Sequence, residues 1–403
     1  MTTDNQHIPS GYKSSPLGII PEDWEVKRIG DFGKVITGNT PPTEDADNYG
    51  DVYKFVSPAD ISGNKYIETT EKHLSEKGFS ISRQMPKGTV LFTCIGSTIG
   101  KCAIAKEALT SNQQINAIIC DSKHSGEFLY YELSHRSNRI KQIAGEQAVP
   151  IINKSTFENY KVLCPPFEEQ KNIAEILSLW DTAIAKQTAL IEQLTLRKRG
   201  LMQQLLTGKK RLKGFEGGSF HRLGNYISEC NRRNNGCKRV LSVTNTRGFI
   251  LQEEQFDKIV ASNDTSNYKV VRRSEFAYNP SRVNGGSLAM LNEYDEGILS
   301  PMYIVFKANE NIDKSYLLQC LQSWWFRGHI PAYTQGSVRD SLSFDGLCSM
   351  KFYIPTLQEQ KAISAILERA DKEIEIQKQK LTALQEQKKG LMQVLLTGKK
   401  RIN

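Results

Sequence analysis

The chain has 403 residues, 53 lysines and arginines against 44 aspartates and glutamates, a formal net charge of +9, and 39% hydrophobic residues. That length exceeds one ordinary core of roughly 100–200 residues, and the apolar content is too high for a mainly disordered chain, so two or more folded domains are expected. No run approaches the roughly 18 apolar residues of a membrane span, and the opening MTTDNQHIPSG lacks the basic-then-apolar layout of a signal peptide, so a cytoplasmic location is expected.

In chain order, WEVKRIGDFGKVITG (Trp24–Gly38) is the first stretch with a later counterpart. GTVLFTCIGSTIGKCAIA (Gly88–Ala105) reads as a β-rich run, a polar Gly/Ser loop and a second apolar run, and INAIICD (Ile115–Asp121) as a strand. FLYYELSHRSNRIKQI (Phe128–Ile143) reads as helix, and from Pro165 one long helix is predicted, ending at Gly208. The same series then returns: SFHRLGNYISECNRR (Ser219–Arg233), SEFAYNPSRVNGGSLAML (Ser274–Leu291), MYIVFKA (Met302–Ala308), SYLLQCLQSWWFRGHI (Ser315–Ile330), and a second long helix from Pro355 to Gly398. Four segments follow: mixed α and β domains at residues 1–164 and 213–354, and helical repeats at 165–212 and 355–403. Their net charges are −1, +3, +3 and +4 in chain order from residue 1, so most of the positive excess lies in the helical repeats.

The helical repeats carry the strongest signal. A single offset of 190 aligns Pro165 with Pro355 and Leu201 with Leu391 without a gap, and about half the positions are identical. GLMQQLLTGKKR (Gly200–Arg211) and GLMQVLLTGKKR (Gly390–Arg401) differ only at Gln204 and Val394. Glu168, Glu169 and Glu359 suit the positive end of a helix dipole, and the Gly-Lys-Lys-Arg endings suit its negative end. Between these ends the apolar positions step by four and three: Ile173, Leu177, Trp180, Ile184, Ile191, Leu194, Leu201 and Leu205 in the first, and Ile363, Leu367, Ile374, Leu381, Leu384, Leu391 and Leu395 in the second. This is a heptad seam, interrupted at matching places by Gln187 with Gln377 and Lys198 with Lys388, and polar seam residues fix register. Helices of about 40 residues span ~60 Å. The expected fold is therefore α+β: two mixed domains, each followed by a long helix, the helices pairing as an antiparallel coiled-coil spacer with pseudo-twofold symmetry.

The W-x-x-x-x-[IL]-G-[DN] opening at Trp24–Asp31, the doubled CPPFEEQKNI and IPTLQEQKAI, and the doubled LLTGKKR make the chain similar to DNA-specificity subunits of type I restriction-modification systems. The second opening departs from that pattern, with Ser219-Phe220 where tryptophan is expected. The resemblance implies a non-catalytic subunit for phage defence, whose two target recognition domains each read half of a split double-stranded DNA site across a fixed unread gap. It implies two modification (methyltransferase) subunits bound along the helical repeats, with restriction subunits added to that core. The complex would carry adenine methylation and ATP-dependent cleavage, with S-adenosylmethionine, ATP and magnesium in the partners and no cofactor here.

Base edges are read by Arg or Lys at guanine and Asn or Gln at adenine, whereas small polar groups and cations hold phosphates. On that chemistry the candidate DNA-binding residues are Ser97, Thr98, Lys101, Asn112, Gln113 and Gln114 in the first domain. In the second they are Asn279, Ser281, Arg282, Asn284, Ser287, Ser337 and Arg339. The competing reading of such loops is turn formation. GSTIGKC (Gly96–Cys102) imitates a phosphate-binding loop but is one residue short and ends in Cys102 rather than a hydroxyl. Asn279-Pro280-Ser281 lacks the second proline and aromatic of an amino-methyltransferase motif. Neither the eight cysteines, read as reduced thiols, nor the six histidines show metal-ligand spacing. Two alternatives stay open: a coiled-coil adaptor with no DNA contact of its own, and a specificity subunit that works only with a methyltransferase.

Overall fold

Two 39-residue helices, Phe167–Leu205 and Leu357–Leu395, are the longest elements of the protein, and their ends are set by the residues just outside them. The computed structural model describes residues 8–145, 149–255, 264–334 and 341–402. Beyond each helix, Gly208 and Gly398 take left-handed angles (φ 72° and 70°), and the amides of Lys210 and Lys400 reach back to the carbonyls of Gln204 and Val394 at 3.0 and 3.1 Å. This closure satisfies carbonyls that the helix leaves unpaired. Both glycines are also needed for contact. A Cβ on Gly398 would stand 2.4 Å from Pro21 Cδ, and one on Gly208 would stand 2.7 Å from the ring of Tyr353.

The chain divides into two compact units, residues 1–188 with 380–403, and residues 189–379. Each unit thus holds the first part of one long helix and the last part of the other. In the first unit Leu395 and Leu396 complete a core containing Ile173, Ala174 and Leu177, and Lys388 Nζ binds Asp181 at 2.5 Å. In the second, Leu205 and Leu206 join Ile363 and Leu367, and Lys198 Nζ binds Asp371 at 2.5 Å. Numbers rise along one helix as they fall along the other, so the pairing is antiparallel, as the seam predicted. All the predicted seam residues are buried or half-buried. The two polar interruptions at Lys198 and Lys388 are the lysines that make these ion pairs.

The ends of the helices form a second, stronger contact. Glu169 is 6% exposed, and both its oxygens accept from Arg401, with Nε and Nη2 each at 2.8 Å. The remaining oxygen capacity takes the indole N–H of the fully buried Trp24 at 2.9 Å, while Arg401 also grips Asp23 at 2.8 and 2.7 Å. In the second unit the fully buried Glu359 accepts from Arg211 Nε at 2.9 Å and from its Nη2 at 2.5 Å. The adjacent glutamines have a different task. Gln170 donates to Pro165 O at 2.8 Å and accepts from Ser125 N at 2.9 Å; Gln360 donates to Pro355 O at 2.9 Å and accepts from Asp313 N at 2.7 Å. Glu169 and Glu359 therefore serve mainly as anchors for an arginine, not simply as dipole charges, and Gln170 and Gln360 tie each long helix to its own domain.

Those domains share the order of one four-stranded sheet. In the first unit an antiparallel sheet runs Gly33–Thr37, Ile115–Cys120, Val90–Thr93, Cys102–Ile104; in the second it runs Ile227–Glu229, Ile304–Ala308, Phe276–Tyr278, Leu288–Met290. Alternate side chains fill different cores, Val90, Phe92 and Ile118 on one face and Leu91, Ala103 and Ala117 on the other, which is why these strands read as unbroken apolar runs. Phe276, Tyr278 and Phe306 against Ala277, Ala289 and Val305 repeat the arrangement.

Two details depart from the sequence reading. Arg28 pairs with Lys161 and Arg222 with Lys351, so the place of Trp24 falls to Gly218, not to Ser219 or Phe220. A Cβ at Gly218 would stand 2.6 Å from the Tyr353 hydroxyl, so that ring already occupies the space. The helix over Phe128–Ile143 is continuous (Gly126–Gln142), but its counterpart is broken into Lys314–Gln322 and Trp324–His329.

Gly398→Ala and Gly208→Ala should each destabilise the protein by at least about 2 kcal/mol, because left-handed backbone costs an alanine about 1–2 kcal/mol and the new methyl meets Pro21 or Tyr353. Urea unfolding of both variants checks this, with Gly200→Ala, a helical glycine whose Cβ would meet nothing within 4 Å, as the tolerated control.

Candidate nucleic-acid interface

In both sheets the candidate loops leave from the same end. In the first unit Ile115 lies opposite Thr93, so the turn before Ile115 and the loop after Thr93 are neighbours, joined by Cys94 N to Gln114 O at 2.8 Å. Ser97 is exposed and Thr98 half-buried on that loop. Lys101 turns inward enough for its Nζ to reach Pro58 O at 3.0 Å. Asn112 and Gln114 bond one another, Asn112 Nδ2 to Gln114 Oε1 at 2.9 Å and Gln114 N to Asn112 Oδ1 at 3.1 Å, so both build the turn. Gln113 is exposed at its tip, its Oε1 accepting from Thr40 at 2.8 Å.

In the second unit Asn279, Ser281, Arg282, Asn284 and Ser287 share the loop between Phe276–Tyr278 and Leu288–Met290. Asn279 is 7% exposed, and its Oδ1 accepts from Ser281 N at 3.1 Å. Ser287 is buried and donates to Val243 O at 2.8 Å, pinning the hairpin of Leu241–Thr244 and Gly248–Leu251 against the loop. Ser281, Arg282 and Asn284 are exposed. Ser337 and Arg339 lie outside the described residues.

The structure adds groups that the loop motifs did not single out. GNTPPT follows the strand Gly33–Thr37 at the same sheet end, where Thr40 meets Gln113 and the exposed Arg83 holds Thr37 O at 2.8 Å. Met302, 62% exposed, lies against Asn279, and Asn245 lies beside Gly286. The signal available was positional: any polar loop leaving the same sheet end as GSTIGK belonged to the same set.

Several thiols near these sheets are chemically quiet. Burial pushes Cys94, Cys120 and Cys320 up to about 12 and Cys164 up to about 11, leaving essentially no thiolate at neutral pH. Among the described residues no group of three or more His, Cys, Asp or Glu is placed to hold a metal ion, and no helix is long and apolar enough to cross a membrane.

A family profile described as type I restriction modification DNA specificity domain matches residues 21–196 and again 255–386. The chain belongs to the family of type I restriction-modification DNA-specificity subunits. Such a subunit is a non-catalytic component, with two target recognition domains in this chain. The specificity subunit of the type I restriction enzyme MjaVIII from Methanocaldococcus jannaschii is 27% identical, over 95% of this chain and 94% of its own. The crystal structure of a type I S subunit from M. genitalium shares the fold, with a TM-score of 0.57 at 16% identity, over 92% of this specificity subunit and 96% of that chain. A chain from a study of complex assembly and conformational transition of the type I system has a TM-score of 0.58 at 15% identity, over 94% and 99%.

Burial separates the loop residues into two classes with different expected phenotypes. Ser287→Ala, which strands the Val243 carbonyl, should lower stability by about 1 kcal/mol, whereas Arg282→Ala and Asn284→Ala should leave it within about 0.5 kcal/mol. Equilibrium unfolding of the three variants measures the difference.

Proposed function

We propose that this specificity subunit reads a split double-stranded DNA site, each sheet-end loop set contacting one half, with an unread interval between them. The observation that carries this reading is the duplication itself. The same strand order and the same exposed loop end occur in both units, and each long helix begins in one unit and ends in the other. Exposed Arg282 and Asn284 supply the donors suited to guanine and adenine edges, Gln113 does so in the first unit, and Ser97 and Thr98 suit phosphate oxygens. Lys101, Asn112, Gln114, Asn279 and Ser287 shape the loops that present them.

Two modification subunits fit a chain whose helical repeats occur twice, and restriction subunits complete the complex. Those partners supply S-adenosylmethionine chemistry at adenine and magnesium- and ATP-dependent cleavage. The cytoplasm, where genomic and invading DNA meet the complex, is the corresponding location.

Genome-wide mapping of methylated adenines, in a host carrying this chain with its modification subunit, should yield one two-part motif with a constant indifferent gap. A continuous motif, or none that depends on this chain, would rule the reading out. In binding assays at fixed salt, Arg282→Ala should cost about 1–3 kcal/mol and relax specificity in one half-site only.

A further inference from the structure

The two halves act as internal controls for each other, and they diverge just after their recognition sheets. In the first, Ser125 caps a single helix that runs unbroken through Arg136, which is buried against Glu132. In the second, Asp313 caps the equivalent helix, which stops at Gln322. Ser323 takes extended angles (φ −67°, ψ 153°), and its hydroxyl accepts from Phe326 N at 3.1 Å to start a new helix. Counted from the two caps, Trp324 stands in the place of Arg136. The break turns it outward, and at 78% it is the most exposed of the large apolar side chains described.

Beside Trp324 lies a groove of about 910 Å³ within the second unit. Its apolar lining includes Trp325, Phe352, Met202 and Ile374. Trp325 is fixed in place, stacked on His329 at 4.2 Å and edge-on to Phe352 at 5.1 Å. The charged residues that line the groove are five cations and one carboxylate, Asp371. That carboxylate is already engaged, by Lys198 at 2.5 Å and by the Gln319 amide at 3.1 Å. Arg199, Lys209 and Arg327 are exposed along the groove. A smaller polar cavity of about 280 Å³, lined by Asn245 and Thr246, shares Lys198, Gln322 and Arg327 with it and extends the positive surface.

We propose that this groove docks one acidic, amphipathic protein segment, an apolar anchor seated against Trp324 and Trp325 and carboxylates along Arg199, Lys209 and Arg327. The excess of cations selects acidic groups. Trp324, Trp325 and Phe352 offer π faces, but Met202, Leu206 and Ile374 line the same groove, and this mixed aliphatic and aromatic wall suits an apolar side chain better than a stacked base. Exposed tryptophan beside arginine is also the usual composition of a binding hot spot. The unbroken helix of the first unit lacks this exposed tryptophan, so one segment binds per chain, unlike a partner that follows the twofold repeat. The proposal does not depend on the DNA reading above.

The test uses the full chain and a fluorescein-labelled synthetic helix with glutamates on one face and leucine and tryptophan on the other. Control probes are the same peptide with serines at the anchor positions, the same peptide with lysines for glutamates, and a single-stranded oligonucleotide of similar length. Anisotropy should show saturation at one acidic peptide per chain, weakened about tenfold or more by Trp324→Ser and by Arg199→Glu. Unchanged thermal melting confirms that each variant is folded, and Arg199→Glu carries the test should Trp324→Ser melt early. Equal binding of the anchorless peptide, two peptides per chain, or indifference of folded variants would overturn the proposal. So would Trp324-dependent binding of the oligonucleotide without the peptide, which would assign the groove to nucleic acid.

Discussion

Two buried carboxylates, Glu169 and Glu359, set the conditions that the rest of the structure has to meet. A carboxylate removed from water and left without a cation costs several kcal/mol, so each needs a fixed positive partner. Neither takes it from its own helix. Arg401, from the end of the second long helix, serves Glu169, and Arg211, from the end of the first, serves Glu359. The Leu-Leu pairs just before these arginines complete the corresponding cores, and the left-handed glycines let the chain turn so that the guanidinium arrives. The E-Q signature and the L-L-T-G-K-K-R signature are thus two sides of one joint, made twice.

Much of this was legible from sequence because it is periodic. The offset of 190, the four-three spacing and the glycine ends are properties of the string itself, and helices follow from them directly. What could not be read was pairing across long separations. Glu169 near a helix start already had an adequate local explanation in the helix dipole, and nothing local points to a residue 232 positions away. Loop residues were harder still. Asn279 and Arg282 look equally suited to DNA in the string, yet Asn279 is buried, its side chain held by Ser281 N and Met302, and Arg282 is exposed. The helix break at Ser323 was hidden for a related reason: SYLLQCLQSWWFRGHI keeps an apolar pattern on both sides of the break.

The duplication also shows where the halves are held alike and where they differ. The buried carboxylate–arginine joint, the order of the four-stranded sheet and the glutamine tie recur in both halves, although only the first joint adds Trp24 and Asp23. The sheet-end loops share their position and a single cation, Lys101 or Arg282, but GSTIGK and NPSRVNGGS differ in length and in their polar residues. Such a division lets the sheet-end loops change without disturbing the helix joints, because none of the candidate loop side chains contributes to the Glu169 or Glu359 contacts.

The central claim is that each unit is completed by the end of a long helix that an equivalent helix could supply. Residues 1–212 carry one domain, one helix and one joint of each kind: Glu169 to receive, and Leu205, Leu206 and Arg211 to give. Sedimentation equilibrium of that half-length chain, with circular dichroism to establish that it is folded, tests the claim most directly. The expected result is a dimer in which Arg211 of each copy meets Glu169 of the other, dissociated by Arg211→Glu. A well-folded monomer at the same concentrations would contradict it.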